Sequence, residues 1–500
     1  MINNKVVDIL KTFTGEDIKR FRDYLNSPFF NRSEKLARFY EAIMAFYPAF
    51  NSKFFNEEKL LKKISPDLAF NKSTVLNLFS DLFEAAENYL MYINFQKKEI
   101  ESKDYLRDEL FKRKLNRSLE ISLSKHNAVL KGVKNFNSDY FINMFKLSTD
   151  LINYNIINKN KSKGSSIEWH VAMQAERGKY ITYFFVKEMI RAYDNLLTMD
   201  KTFRIEREKN FVFKLFNIVE FEKLLKLVVS DSGNDEHSKI FELYLALFLT
   251  FSKFDNEKYY YNYKKLYLRN LKYFSIDEIR FHNGRLLRYC MLKSSNKTIS
   301  DKFDKERFDI YNFLLDNGYY KSSVSDYIPV ELYRPILLLS LKLKKYKWSF
   351  EFIKKYRMKI HPDRRENMYH FSCAEYYFSR GRYAEAMKSF HKVKLNHFML
   401  KVDLKDLMLM TYYELGLYEN ALSLIDTYRH FLSNDTTLSI TEKKKCKNFI
   451  NIIKLMIKYR TSESFSTKYL IENELKNELP YKDWLEEKIL EMDAIYNKSA

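Results

Sequence analysis

The residues that most resemble a phosphate-binding site are Gly178 and Lys179, within Arg177-Gly178-Lys179-Tyr180. A phosphate-binding loop has a glycine five residues before the Gly-Lys pair and a Ser or Thr directly after it. The glycine lets the backbone amides surround the phosphate, and the hydroxyl holds the magnesium ion. Met173 and Tyr180 occupy those two positions. The match is therefore interpreted as chance, and no cofactor is predicted.

Candidate metal ligands and acid–base groups lack a spacing that would bring them together. His391 and His397 are six residues apart, whereas two histidines that share a metal on one helix face are four apart. Asp403 and Asp406 form a carboxylate pair, but nothing sets one apart as an acid and the other as a base. Equally weak candidates are His361, His370, Glu486 and Glu487. The sequence predicts no catalytic and no metal-binding residue, and we expect that the chain is not an enzyme.

The segment Tyr259–Tyr273 interleaves cations with aromatic residues. Such a pattern suits nucleic acid, because bases stack on the rings beside cations that contact phosphate. The candidate basic surface consists of Lys264, Lys265 and Arg269. The same pattern also describes an amphipathic helix that packs through one stripe, made of Tyr260, Tyr263, Tyr267 and Leu271. The packing interpretation is preferred, and nucleic-acid binding remains the alternative.

The elements that carry these residues are predicted to be helices. The 500 residues include only 9 Gly and 7 Pro, far below the roughly 7% Gly and 5% Pro of average proteins. Strand-rich folds use those residues in turns, so their scarcity predicts helices joined by short polar connections. The fold class is therefore expected to be all-α.

The net charge bears on the kind of partner the chain binds, and the cysteines bear on the compartment in which it resides. The formal net charge of +21 would favour nucleic acid, anionic lipid or acidic proteins. It equally fits compositional drift toward Lys, Asn, Ile, Phe and Tyr, which is the preferred interpretation.

Cys290, Cys373 and Cys446 lie far apart without a CxxC pair, which is typical of a reducing compartment. No secretory signal and no apolar run of about 20 residues is present, so a cytoplasmic protein is expected.

An internal repeat lies between residues 331 and 430. Residues 374–386 and 409–421 superpose at an offset of 35 residues. The glycine of each copy is expected to end a helix in the left-handed conformation. The alanine is expected to lie buried where two helices cross, because a larger side chain would force them apart. The repeat-packing residues are Ala374, Tyr377, Gly381, Tyr383, Ala386, Tyr412, Gly416, Tyr418 and Ala421.

This pattern resembles the tetratricopeptide repeat, whose period is about 34 residues. A weaker unit precedes it, in which Lys344 replaces the glycine. The resemblance implies a solenoid of helical hairpins whose first helices expose a concave groove to an amphipathic helix or an extended peptide. The candidate groove residues are Arg334, Leu338, Leu341, Phe371, Glu375, Phe378, Asp406, Met410 and Tyr413.

The whole chain is similar to a family of uncharacterised bacterial proteins of about this length, frequent in the Bacteroidota. The residues that carry this resemblance are Asn26-Ser27-Pro28-Phe29-Phe30-Asn31, the two hairpins, and Asp483-Trp484-Leu485-Glu486-Glu487-Lys488-Ile489. It implies an architecture and no chemistry.

Three regions are predicted. An N-terminal helical module covers residues 1–98, a helical middle region covers 99–232, and repeats with C-terminal capping helices cover 233–500. The N-terminal module is interpreted as a cap, although a helix-turn-helix DNA reader has the same spacing. The predicted function is a non-catalytic scaffold that binds another protein, without a membrane span and without a small-molecule substrate.

Overall fold

The computed structural model describes residues 5–50, 56–64, 71–158, 167–199, 205–231, 236–294, 298–322, 325–394, 398–462 and 465–499. Helix accounts for 81% of the structure, and the described residues form no strand, only an isolated bridge between Ser322 and Ser325. The all-α prediction is confirmed. Consecutive helices pack in adjacent pairs.

The chain forms two compact units. The first comprises residues 1–131 and 150–166, and the second comprises residues 132–149 and 167–500. The sequence-based boundaries at residues 98 and 232 stay predictions.

The first unit is built on a long helix, α5, against which α1 to α4 pack. Local signals set the start of these helices. Thr14 caps α2, accepting a hydrogen bond from the Asp17 amide at 3.2 Å while the Asp17 carboxylate accepts one from the Thr14 amide at 3.0 Å. Its core includes Phe21, Phe39 and Tyr89. The helices are α1 Lys5–Leu10, α2 Gly15–Asn26, α3 Glu34–Met44, α4 Glu57–Ile64, α5 Lys72–Lys97, α6 Glu99–Lys112 and α7 Asn116–Gly132.

Helix α8 covers Ser138–Ile157. The second unit continues with two groups of helices. Those before the hairpins are α9 Ile167–Met199, α10 Phe211–Ile218, α11 Phe221–Asp231, α12 Glu236–Ser252, α13 Glu257–Arg269, α14 Ile276–Lys293 and α15 Ser300–Asp316. Those of the hairpin region are α16 Val330–Lys342, α17 Tyr346–Tyr356, α18 Pro362–Ser379, α19 Tyr383–Phe390, α20 Phe398–Glu414, α21 Tyr418–Asn434, α22 Ile440–Ser462, α23 Phe465–Glu474 and α24 Lys482–Ser499. Short 3₁₀ turns are Leu271–Tyr273 and Arg357–Lys359.

Three hairpins, α16–α17, α18–α19 and α20–α21, turn through the same backbone geometry. Gly381 and Gly416 have φ of 70° and 69°, as predicted for left-handed helix ends. Lys344, which replaces the glycine in the first hairpin, adopts the same region with φ of 54°. In each turn an amide bonds back to a carbonyl five residues earlier at 2.9 Å, from residue 345 to 340, from 382 to 377 and from 417 to 412.

The crossing alanines are buried as predicted. Ala386 and Ala421 are fully buried and lie at the starts of α19 and α21. The inner helices of the hairpins pack on one another, α16 on α18 and α18 on α20. One continuous core runs from Phe308 to Met492.

Candidate functional site

The candidate groove residues of the hairpins are not an open surface. Six are buried, and these are Leu341, Phe371, Glu375, Asp406, Met410 and Tyr413. Three are half-buried, and these are Arg334, Leu338 and Phe378. The prediction that these side chains are exposed to a partner is therefore wrong.

Later helices contact this face near the carboxyl-terminal ends of α18 and α20, where Arg460 of α22 and Met492 of α24 meet Tyr413. The indole Nε1 of Trp484 donates a hydrogen bond to the Glu414 carboxylate at 2.8 Å, and the Trp484 ring lies 5.8 Å from that of Tyr413. The ammonium group of Lys488 lies 3.0 Å from the same Glu414 oxygen. The Tyr413 hydroxyl contacts the sulfur of Met492 at 3.3 Å and accepts a hydrogen bond from Arg460 at 3.0 Å.

A buried cluster of charged side chains joins α16, α18 and α20. Arg334 of α16 forms a two-pronged ion pair with Asp403 of α20. Asp406, one turn further along α20, accepts a hydrogen bond from the Tyr428 hydroxyl at 2.9 Å. Glu375 of α18 is only 6% exposed, and its Oε1 has no hydrogen-bond partner among the described residues. The sequence placed Arg334, Glu375 and Asp406 on one face, and the structure brings them together inside the protein.

Burial changes the protonation of these carboxyl groups. It raises the pKa of Glu375 to about 8, and the neighbouring charge of Asp403 adds to the rise. Burial also holds the pKa of Asp406 well above its usual value, against the opposing hydrogen bond from Tyr428. Raised carboxyl pKa values occur at acid–base sites, but Glu375, Asp403 and Asp406 are each less than a tenth exposed. The cluster is therefore a polar part of the core.

The basic and aromatic segment folds as α13 and the turn after it. Tyr260, Tyr263 and Tyr267 are fully buried, as the packing interpretation predicts. Lys264 lies beside Glu306 in a half-buried ion pair, whereas Lys265 and Arg269 are exposed. The most central tyrosines of this helix therefore face the core and cannot stack on bases.

The Gly-Lys pair and those candidate histidines that the structure describes lie on separate elements. Gly178 and Lys179 lie in the middle of α9, where helical backbone cannot form a phosphate-binding loop. His361 caps α18, accepting a hydrogen bond from the Asp363 amide at 3.4 Å. His397 lies outside the described residues. Among the residues that the structure describes, no three His, Cys, Asp or Glu side chains are placed to hold a metal ion. Of the described helices, none is long and apolar enough to cross a membrane.

An exposed apolar surface in the first unit was missed by the sequence reasoning. Phe29 is 88% exposed in the turn after α2, and its ring lies 5.0 Å from that of Phe30. Phe30 in turn contacts Tyr92 of α5 at 5.1 Å, and Phe95 contacts Tyr105 of α6 at 5.8 Å. We call this region the aromatic surface, and its exposed members are Phe29, Phe30, Met91, Tyr92, Phe95 and Tyr105.

A shallow cavity of about 320 Å³ adjoins the aromatic surface. It is lined by residues of α2 and α5, including Tyr24 and Tyr92, and by Phe30. Arg20 and Asp23 bring opposite charges to its rim. The sequence feature that could have predicted this surface is the pair Phe29 and Phe30 after Pro28. Helical periodicity stops there, so no helix face would bury the two rings.

No protein-family model and no curated protein matches the chain. The tetratricopeptide and bacterial-family resemblances therefore stay predictions from the residues.

Proposed function

We propose that the chain is a non-catalytic, cytoplasmic scaffold that binds another protein, and that the aromatic surface receives that partner. The observation that supports this proposal is the exposure of the aromatic surface, including Met91 at 67% and Tyr105 at 65%. Proteins that act alone rarely expose contiguous apolar patches of this kind. Aromatic residues and Met are also enriched in protein interfaces.

The composition of the aromatic surface favours a protein over a nucleic acid. Single-stranded nucleic acid is bound by rings that offer their faces to bases, next to a run of cations. Here Phe30 already stacks on Tyr24 at 4.4 Å, and Met91 is not aromatic. Such a mixture of aliphatic and aromatic groups suits the apolar face of a partner helix, with Arg20 and Asp23 available for polar contacts at the edge.

A photo-crosslinking experiment tests the proposal. Phe29 is replaced by p-benzoylphenylalanine in the full chain, and the chain is irradiated in its native cell. We expect one covalent adduct of defined mass, because Phe29 is 88% exposed, more than the other residues of the aromatic surface. The adduct should disappear when Tyr92→Ser and Phe95→Ser are added, since they remove apolar area beside the crosslinker.

The matched control changes two exposed apolar residues elsewhere, Ile218→Ser and Leu227→Ser, which are 80% and 63% exposed. These should leave the adduct unchanged. Absence of any adduct, or an adduct that all variants form equally, would contradict the proposal.

A further inference from the structure

The inner face of α18 and α20 already holds an amphipathic helix, which is α24 of the same chain. Leu485, Ile489 and Met492 are buried on one side of α24 and belong to the core of the hairpins. Their spacing of four and three residues places them on one helix face. Leu490, on another side, is 68% exposed. The face is therefore a receptor for a helix of this pattern.

The polar contacts that Trp484 and Lys488 of α24 make with α20 converge on one residue, Glu414. Glu414 at the end of α20 takes both the Trp484 hydrogen bond and the Lys488 ammonium group. Glu414 is about 10% exposed and Lys488 about 8%. Lys488 also pairs with Glu491 of its own helix at 2.8 Å. Because ions buried to this extent need nearby opposite charge, Glu414 favours α24 by charge as well as by shape.

The connection that brings α24 onto this face is short and strained. Helix α23 ends at Glu474 and α24 begins at Lys482, which leaves seven residues between them, 475–481. Tyr481 has a φ of 51°, in the left-handed region that costs a residue with a side chain roughly 1–2 kcal/mol. Its ring also contacts that of Phe449 at 5.8 Å. Short hinges under strain favour the exchange of an identical element between two copies, because the strain is released when the hinge opens.

We propose that α24 is an exchangeable element and that the inner face of α18 and α20 binds α24 of a second copy of this chain. In the exchanged dimer each face keeps the contacts of Trp484, Lys488 and Met492, now from the other copy. The path of residues 475–481 differs from the monomer, and with it the placement of Leu475, Leu479 and Tyr481, which pack against the hairpin core in the single chain. This self-association uses a different surface from the one proposed for the protein partner, so either proposal can fail alone.

A charge-reversal pair tests the exchange. Glu414→Lys places a cation against the chain's own Lys488, and Lys488→Glu places an anion against its own Glu414. Both contacts become attractive only when the two variants exchange α24 with each other. We expect the mixture, after refolding together from denaturant, to sediment as a 1:1 dimer of twice the 60.5 kDa chain mass.

The double variant Glu414→Lys/Lys488→Glu is the matched control, because it restores attraction within one chain. It should fold, show the helical content of the parent chain and form no 1:1 dimer when refolded with the unchanged chain. Joint refolding keeps the test valid even when each single variant alone is unfolded, since the exchanged dimer supplies the missing pair. A mixture in which the two variants remain separate species, or stay unfolded while the control folds, would overturn the proposal.

Discussion

At the scale of residues, the electrostatics of burial is clearest at Glu375. The charged and titratable groups that interact with it include Arg334 from α16, Asp403 and Asp406 from α20, and Tyr481 from the segment before α24. Arg334 pairs with Asp403, and its charge lowers the pKa of Glu375 less than burial and the charge of Asp403 raise it. The neutral acid is the form that the folded protein favours.

The pH dependence of stability follows from this. The folded pKa of Glu375, about 8, lies above the ordinary value of 4.5. Between pH 4.5 and 8 the folded chain keeps a proton that the unfolded chain has released, so the free energy of unfolding falls as the pH rises through this window. Glu375→Gln removes that loss. We expect the variant to gain on the order of 3 kcal/mol over the parent at pH 8.5 and little at pH 4.

Urea unfolding at several pH values measures this difference. Glu385→Gln is the control, because the hydrogen bond from Arg382 lowers the pKa of that exposed carboxyl. It should show no gain at high pH. A Glu375→Gln variant whose stability follows the same pH curve as the parent would show that Glu375 is ionised in the folded chain.

At the scale of elements, the repeated unit is the turn between paired helices. Residues 344, 381 and 416 all have positive φ, and each is followed two residues later by the tyrosine that begins the next helix. Glycine adopts this conformation without steric cost, whereas lysine at position 344 does not. The first turn therefore forms although its residue disfavours it, because the helices on either side determine the path of the chain.

Exchanging the turn residues should have opposite effects. Lys344→Gly relieves the left-handed strain, and after the entropy cost of glycine we expect a gain of roughly 0.5–1 kcal/mol in the free energy of unfolding. Gly381→Ala should lose about 1 kcal/mol through the backbone alone, because a methyl group there meets no atom within 4 Å. Thermal and urea unfolding of both variants measure the changes. Destabilisation by Lys344→Gly equal to that by Gly381→Ala would contradict this account of the turn.

At the scale of the whole molecule, the question is what the net charge of +21 does. Many cations are held in ion pairs, such as Lys264 with Glu306 and Arg357 with Glu366 at 2.8 Å. Together with the buried tyrosines of α13, this favours charge that is spread over solvated helix faces. Nucleic acid should then be bound only through counterion release.

We expect weak, unselective oligonucleotide binding, with dissociation constants of about 10⁻⁴–10⁻⁶ M at physiological salt. Replacing the candidate basic surface, Lys264, Lys265 and Arg269, by Ala should reduce the salt dependence slightly. The control is the equally charged triple replacement of Lys347, Lys354 and Lys355, exposed residues of α17. Salt titrations of both variants should give the same slope. Sub-micromolar, selective binding that only the α13 variant loses would favour the nucleic-acid alternative.

The sequence by itself determined the features that depend on near neighbours. The scarcity of Gly and Pro predicted helices, and the 35-residue offset predicted the left-handed Gly381 and Gly416 and the buried Ala386 and Ala421. Each of these signals acts within one or two helical turns, where steric limits on φ and ψ and close helix packing leave few choices.

Only the tertiary structure decided which surfaces are open. Phe371, Met410 and Tyr413 have the pattern of groove residues, yet all three are buried. Tyr413 is buried by later helices, since it contacts Arg460 of α22 and Met492 of α24. Trp484 meets Glu414 across 70 residues of sequence, and no local periodicity carries that information. Conversely Phe29 looks like a core residue and is exposed. The type of a side chain sets the free energy gained when it is buried, but what buries it is set by segments far away in the chain.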